Sequence, residues 1–226
     1  MENSLKGLAV RGLTKYLAGL VLCGVLVFLP AGTRRYFGGW LFLGVLFLPM
    51  LLMGLVMLKK APDLLADRLN AKEQQGAQKR VVAASALMFL AGFVLCGISY
   101  RFHWLILPKW AQIAAAAVFL VGYALYAEVL RENRYLARTV KVQEGQQVID
   151  SGLYGIVRHP MYLATVLMFL MIPLILGTLA ALPVFLVYPV IIVLRIRNEE
   201  ALLRKELPGY EAYCGRVKYH MLPLIW

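Results

Sequence analysis

Between Met161 and Leu194 the chain runs for 34 residues without a charged side chain. As one helix at 1.5 Å per residue it would measure about 51 Å, well beyond the ~30 Å hydrocarbon layer of a bilayer. The run must therefore fold back on itself. Gly177 and Thr178 lie near its middle, flanked by Pro173 and Pro183, which predicts a break there and a hairpin of two short helices.

Four more apolar runs precede it, at about 16–31, 38–58, 81–100 and 111–130. Each approaches the ~20 residues of a membrane-crossing helix, and in lipid a single segment satisfies its own backbone only as a helix. Composition agrees: 61% of residues are hydrophobic and 16% charged, where soluble domains hold about half and about a quarter. The expected fold is all-α and polytopic: six transmembrane helices, the last two as the hairpin, then a cytoplasmic helical C-terminal tail. Residues 1–110 would carry the first three spans. Residues 111–226 would form a functional core of the fourth span, a polar loop, the hairpin and the tail. The first run lacks a small-residue cleavage site and reads as a retained span.

A six-span chain should place Lys and Arg in alternate loops. Of 24 such residues, 20 fall in the N-terminal segment, the 59–80 loop, the 131–158 loop and the tail, against Arg34, Arg35, Arg101 and Lys109 in the other loops. Both termini are thus expected in the cytoplasm. Tyr36, Trp40, Tyr100, Trp104 and Trp110 would form an aromatic belt at the opposite face. The net charge of +12 then reports orientation and anionic lipid, and no nucleic-acid partner is expected.

The chain has no HExxH, P-loop or GxGxxG pattern, which argues against a zinc protease, an ATPase and a Rossmann dinucleotide site. His103 falls on the far side from His159 and His220, so no metal centre is expected. Cys23, Cys96 and Cys214 lack metal-type spacing and read as packing residues. Residues 76–80, Gly-Ala-Gln-Lys-Arg, read as a solvated basic flank. Glu128, three residues before Arg131, reads as its intrahelical partner.

Two polar segments bracket the hairpin. Ser151 to Tyr162 sets two glycines in a turn and then Arg158 and His159 before Pro160, a residue suited to a first helical turn. A cation and an imidazole beside a positive helix end suit an anion, although an arginine at that depth also suits lipid phosphate. After the hairpin, Arg195 to Tyr213 would place Ile196, Leu203 and Leu207 near one helical face, with Glu199 and Glu200 at the membrane boundary. A plain amphipathic helix and a cation-binding pair both fit that pattern.

Together, Ser151, Gly152, Tyr154, Arg158, His159, Pro160 and Tyr162, then Glu199, Glu200, Leu203, Tyr210, Tyr213, Val217 and Pro223, resemble the isoprenylcysteine carboxyl methyltransferase and phospholipid methyltransferase superfamily. The resemblance covers roughly residues 120–226, with Asn133 to Gln143 similar to the family's approach to its first motif. Ala164 stands where the family has glycine, and Leu207-Pro208-Gly209 replaces a Phe-Gly pair.

The resemblance implies S-adenosylmethionine as cofactor, with Tyr154, Arg158, His159, Pro160, Tyr162, Glu199, Glu200, Tyr210 and Tyr213 as its binding residues. It also implies a lipophilic acceptor arriving from the bilayer, most simply a carboxylate of isoprenylcysteine type. Arg195 and His159 are the catalytic candidates: Arg195 or Arg197 to steer a carboxylate, His159 or Glu200 to deprotonate an amine. A phospholipid amine methyltransferase, an NADPH-dependent sterol-reductase-like oxidoreductase and a non-catalytic membrane adaptor are the alternatives.

Overall fold

The computed structural model describes residues 2–70, 76–136 and 142–226. Its elements are α1 (Glu2–Ala31), α2 (Phe37–Lys60), α3 (Pro62–Leu69), α4 (Gly76–Phe102), α5 (Lys109–Glu132), a 3-10 turn (Gly152–Gly155), α6 (Pro160–Ile175), α7 (Leu182–Phe185), α8 (Val187–Glu206) and α9 (Tyr210–Arg216). Among the described residues there is no strand, only an isolated bridge between Ile106 and Thr178.

Four helical stretches are long and apolar enough to cross a membrane: Leu5–Ala31, Phe37–Lys60, Gln78–Phe102 and Lys109–Glu132. They contain the four runs expected from the sequence and extend each by a few residues or more. The hairpin arms are shorter. α6 has 16 residues, and only the first eight of the 20 in α8 precede its first charge, Arg195.

The arms are antiparallel, since Tyr162 near the start of α6 meets Arg195 and Glu199 in the second half of α8. The break falls where the sequence placed it. Gly177 adopts φ +79°, and a Cβ there would come within 2.6 Å of the Gln112 amide nitrogen, so only glycine suits the turn. The turn is tied to the α4–α5 loop: Leu107 N–H donates to Gly177 O at 2.8 Å, and the Thr178 hydroxyl donates to Trp104 O at 2.9 Å.

The helices close into a ring. α5 packs on α6, α6 on α8, α8 on α4, α4 on α1, α1 on α2 and α2 on α5, while α6 also reaches α2 and α4 across the ring. The α5–α6 contact is the most extensive, because Gly122 presents no side chain. A Cβ on Gly122 would lie 2.8 Å from Met168 Cγ and 3.3 Å from Ala164 O. Ala164 is fully buried, with its carbonyl oxygen facing Gly122. Phe42, Phe93, Phe119, Phe185 and Ile175 fill the interior, and Leu17, Val21, Leu48, Leu52, Leu87 and Val190 stand exposed on the outer faces. So much apolar outer surface suits lipid, not water.

Two features depart from the sequence reading. α3 was not anticipated; its buried Leu64 packs with Met57 of α2 and Leu130 of α5, so this short helix crosses the ends of both. Residues 76–80 are not a wholly solvated flank: Gln78 in the first turn of α4 is fully buried, and its Nε2 donates to Arg195 O at 3.4 Å.

Candidate functional site

The segment before α6 meets the C-terminal segment through backbone. Arg158 N–H donates to Tyr219 O at 2.9 Å, and His159 N–H donates to His220 O at 2.8 Å. Pro160 then occupies the first turn of α6, with His159 as the residue before it. Arg158 and His159 precede the helix, so their N–H groups have no partner in its ladder and are free to bind the tail.

That pairing brings four ionisable side chains together. Arg158 Nε donates to Glu200 Oε1 at 2.8 Å, and its Nη2 lies 3.4 Å from Oε2. Nη1 donates to Val217 O at 2.8 Å and Lys218 O at 3.1 Å. His159 Nε2 and His220 Nδ1 lie 3.0 and 2.9 Å from Glu200 Oε1. Arg158, His159 and Glu200 are all buried. Burial pushes the Glu200 carboxyl up, but hydrogen bonds from His159 and Arg158 and the charges of both outweigh it and bring it down to about 2. Burial likewise holds His220 below the ordinary histidine range, with Arg158 acting in the same direction and Glu200 against it.

The ligand atoms of His159, Glu200 and His220 lie within 4.8 Å of one another, a grouping the sequence reading did not foresee. Arg158 Nη2 sits 2.8 Å from His220 Nδ1 in the same cluster, so the guanidinium already supplies the positive charge that a metal would bring.

Glu199, one residue earlier on α8, faces elsewhere. It accepts a short hydrogen bond from the Tyr162 hydroxyl, and that hydroxyl accepts from Arg195 Nε at 2.8 Å. His159 and Tyr162 stack with ring centroids 5.6 Å apart. Adjacent glutamates on a helix point about 100° apart, which is why one enters the charged cluster and the other does not.

Beside them lies a cavity of about 100 Å³, walled by Tyr154, Arg158, His159, Tyr162, Glu199, Tyr210 and Tyr213 among the nominated residues. Glu200, Pro160 and Arg195 do not line it, although Glu200 is bonded to the wall residues Arg158 and His159 and Arg195 to Tyr162. Asn133 Nδ2 donates to the Tyr154 hydroxyl at 3.0 Å, and the Tyr213 hydroxyl donates to Tyr154 O at 2.8 Å. Burial pushes the hydroxyls of Tyr154, Tyr210 and Tyr213 upward, so all three stay protonated donors. The Tyr210 hydroxyl is buried without a hydrogen-bond partner, a condition that favours a polar group from outside the chain.

Asn133, Leu136, Gln146, Gln147 and Leu203 also line the cavity, and none was nominated from sequence. The likeness of Asn133 to Gln143 to the family's first-motif approach and the place of Leu203 in its second motif are the signals that reached this wall. Arg197 lies exposed on α8, away from these contacts.

An all-helical membrane protein with a charged cluster and a tyrosine-walled cavity at the foot of a helical hairpin is the class this geometry defines. Residues 110–208 match the family model described as phospholipid methyltransferase. That match is consistent with the superfamily whose motifs the sequence displays, and it points to a membrane methyltransferase. The chain is also similar to Delta(14)-sterol reductase TM7SF2 of Mus musculus, 35% identical over 91 residues. That match covers 39% of this chain and 22% of the relative's length.

Proposed function

We propose that the chain transfers a methyl group from S-adenosylmethionine to a lipophilic, membrane-embedded acceptor, with an isoprenylcysteine-type carboxylate as the first choice. The observation that carries the reading is the presence of Glu199 and the unpartnered Tyr210 hydroxyl on the wall of one cavity, which Arg158 and His159 also line. The positive-inside pattern supports cytoplasmic termini and a cavity opening on that side, with the hairpin arms as the fifth and sixth spans.

The donor set fits the cofactor's charges. Glu199 would hold the ammonium, Tyr210 would donate to a carboxylate or ribose oxygen, and Tyr154 and Tyr213 offer ring surface to adenine. A nucleoside-bearing cofactor exceeds about 100 Å³, so binding requires the cavity to widen. When bound, S-adenosylmethionine supplies an electrophilic methyl on a sulfonium. The chain contributes alignment and exclusion of water.

A carboxylate acceptor needs no base, only a cation, and Arg195, bonded to the wall residue Tyr162, is the candidate. An amine acceptor must first lose a proton. Glu200, held near 2 and ion-paired, is a poor base, and His159 Nε2 is turned to Glu200. Both facts favour the carboxylate. The sterol reductase similarity supports a second reading, an NADPH-dependent oxidoreductase on the same scaffold.

Calorimetric titration of the purified chain with S-adenosylmethionine and with NADPH separates these. Binding of the former alone is expected; tight binding of NADPH alone would overturn the proposal, and binding of neither would leave a non-catalytic adaptor.

A further inference from the structure

A second cavity lies at the other end of the bundle from the Arg158 cluster. Arg158 precedes the start of α6, whereas Gly38 in the first turn of α2 packs at the end of α6, where a Cβ would come within 2.7 Å of Ile175 O. Here α1 and α2 leave an open groove of about 630 Å³. Val21, Val25 and Leu29, each four residues after the last, form one ridge of α1 along it; Phe28 and Trp40 form the other wall, and Gly24 leaves a hollow between them. A Cβ on Gly24 would meet no atom within 4 Å. The walls are set in place, with the Phe28 and Trp40 ring centroids 4.9 Å apart and the Trp40 indole N–H donating to Arg34 O at 2.8 Å. From Val21 to Leu29 the groove follows α1 for eight residue steps, about 12 Å, close to the ~15 Å depth of one hydrocarbon leaflet.

Charge is gathered at one end of this groove. It runs up to Gly32, Thr33 and the exposed Arg34, and the Arg101 guanidinium lies against Gly32, 3.7 Å from where a Cβ would stand. Arg35 is next in sequence, its carbonyl accepting from the Tyr100 hydroxyl at 3.0 Å. The chain supplies no acid to balance them. All 12 Asp and Glu residues fall outside 3–62, 74–127 and 151–198, the stretches that contain every loop at this end. Three arginines thus stand together at the end of the bundle that the positive-inside pattern leaves poor in cations, at the head of an apolar slot one leaflet deep.

We propose that this groove holds one anionic phospholipid of that leaflet, with an acyl chain along Val21, Gly24, Val25 and Leu29 and the phosphodiester on Arg34 and Arg101. Arginine suits the headgroup because its planar fork meets two phosphate oxygens at once. The length of the slot suits the chain, and the indole of Trp40 stands at the interface between the two, where tryptophan is favoured. The site is separate from the methyl-transfer reading and stands or falls without it.

Native mass spectrometry of the full chain, released from detergent after titration with phosphatidylglycerol, phosphatidylcholine or diacylglycerol, tests this. Wild type should bind one phosphatidylglycerol about tenfold or more tighter than either of the others, and inorganic phosphate at equal concentration should not displace it. Arg34→Gln combined with Arg101→Gln should abolish that preference. Gly24→Leu keeps every charge and fills the hollow; it should weaken phosphatidylglycerol about tenfold while leaving the unfolding midpoint in lipid-free detergent at or above wild type, since leucine is the better helix former. No preference in the wild type, displacement by inorganic phosphate, or a preference that survives either variant would overturn the proposal. So would weaker binding in Gly24→Leu together with a lowered lipid-free midpoint, which marks a packing role. If the double arginine variant does not fold, Gly24→Leu decides alone.

Discussion

Arg158 and Glu200, 42 residues apart in sequence, face each other through Nε at 2.8 Å and Nη2 at 3.4 Å with both side chains buried. The hairpin between them is the spacer that brings the two ends into register. Removing either partner strands a buried charge, which typically costs about 3–5 kcal/mol. Glu200→Gln is therefore expected to lower the thermal unfolding midpoint strongly, because it leaves Arg158, His159 and His220 facing a neutral amide. A midpoint equal to wild type would show the cluster to be dispensable.

Glu199 should behave differently from its neighbour. Its carboxylate stands on the cavity wall, so Glu199→Gln is expected to weaken S-adenosylmethionine binding by about tenfold while shifting the unfolding midpoint far less than Glu200→Gln does. Calorimetry and thermal unfolding on the two variants separate the roles.

Tyr210→Phe makes a prediction with two signs. Deleting a buried hydroxyl that has no partner should stabilise the ligand-free chain, by about 1 kcal/mol. The same change should weaken S-adenosylmethionine about five- to tenfold, as expected for one lost hydrogen bond. A variant that binds as tightly as wild type would remove Tyr210 from the contact set.

Acid should undock the C-terminal segment. His220 titrates below its ordinary value of 6.5 in the folded chain, so folding is opposed by protonation, and stability falls as pH drops through 6.5. The groups facing His220 are Glu200, Arg158 and His159. Glu200, lowered from 4.5 to about 2, contributes stability above 4.5 that is lost as pH falls toward 2. Hydrogen exchange at the Arg158 and His159 amides, which donate to Tyr219 O and His220 O, should accelerate as pH falls once the intrinsic pH dependence of exchange is divided out. Corrected protection that stays constant from pH 7 to 4 would refute this.

Gly177→Ala should impair folding by more than the ~1 kcal/mol typical of a strained left-handed position, because its Cβ would also press on Gln112 at 2.6 Å. The readouts are yield in membranes and the unfolding midpoint.

Much of this was legible in the chain itself. The four long apolar runs, the fold-back at Gly177, the first-turn position of Pro160 and the Glu128–Arg131 pair at 2.8 Å all follow from local pattern, where length, charge and backbone geometry act within a few residues. The split between Glu199 and Glu200 was not legible, because both sit in one motif and only the helix's rotation against α6 separates them. The sequence set His220 on the same side as His159, but its role in the cluster was not legible, because its carbonyl and ring matter through contacts with residues some 60 positions earlier. α3 was missed since eight residues carry too little periodicity, and its position depends on Leu64 finding Met57 and Leu130.

The arrangement of the Arg158 cluster also bears on how the chain is made. In chain order the arginine comes first, its glutamate 42 residues later, and the carbonyls of residues 217–220 later still. Until then the nascent protein must keep that guanidinium hydrated or against lipid phosphate. The pocket can close only after residues 217–220 have followed the hairpin.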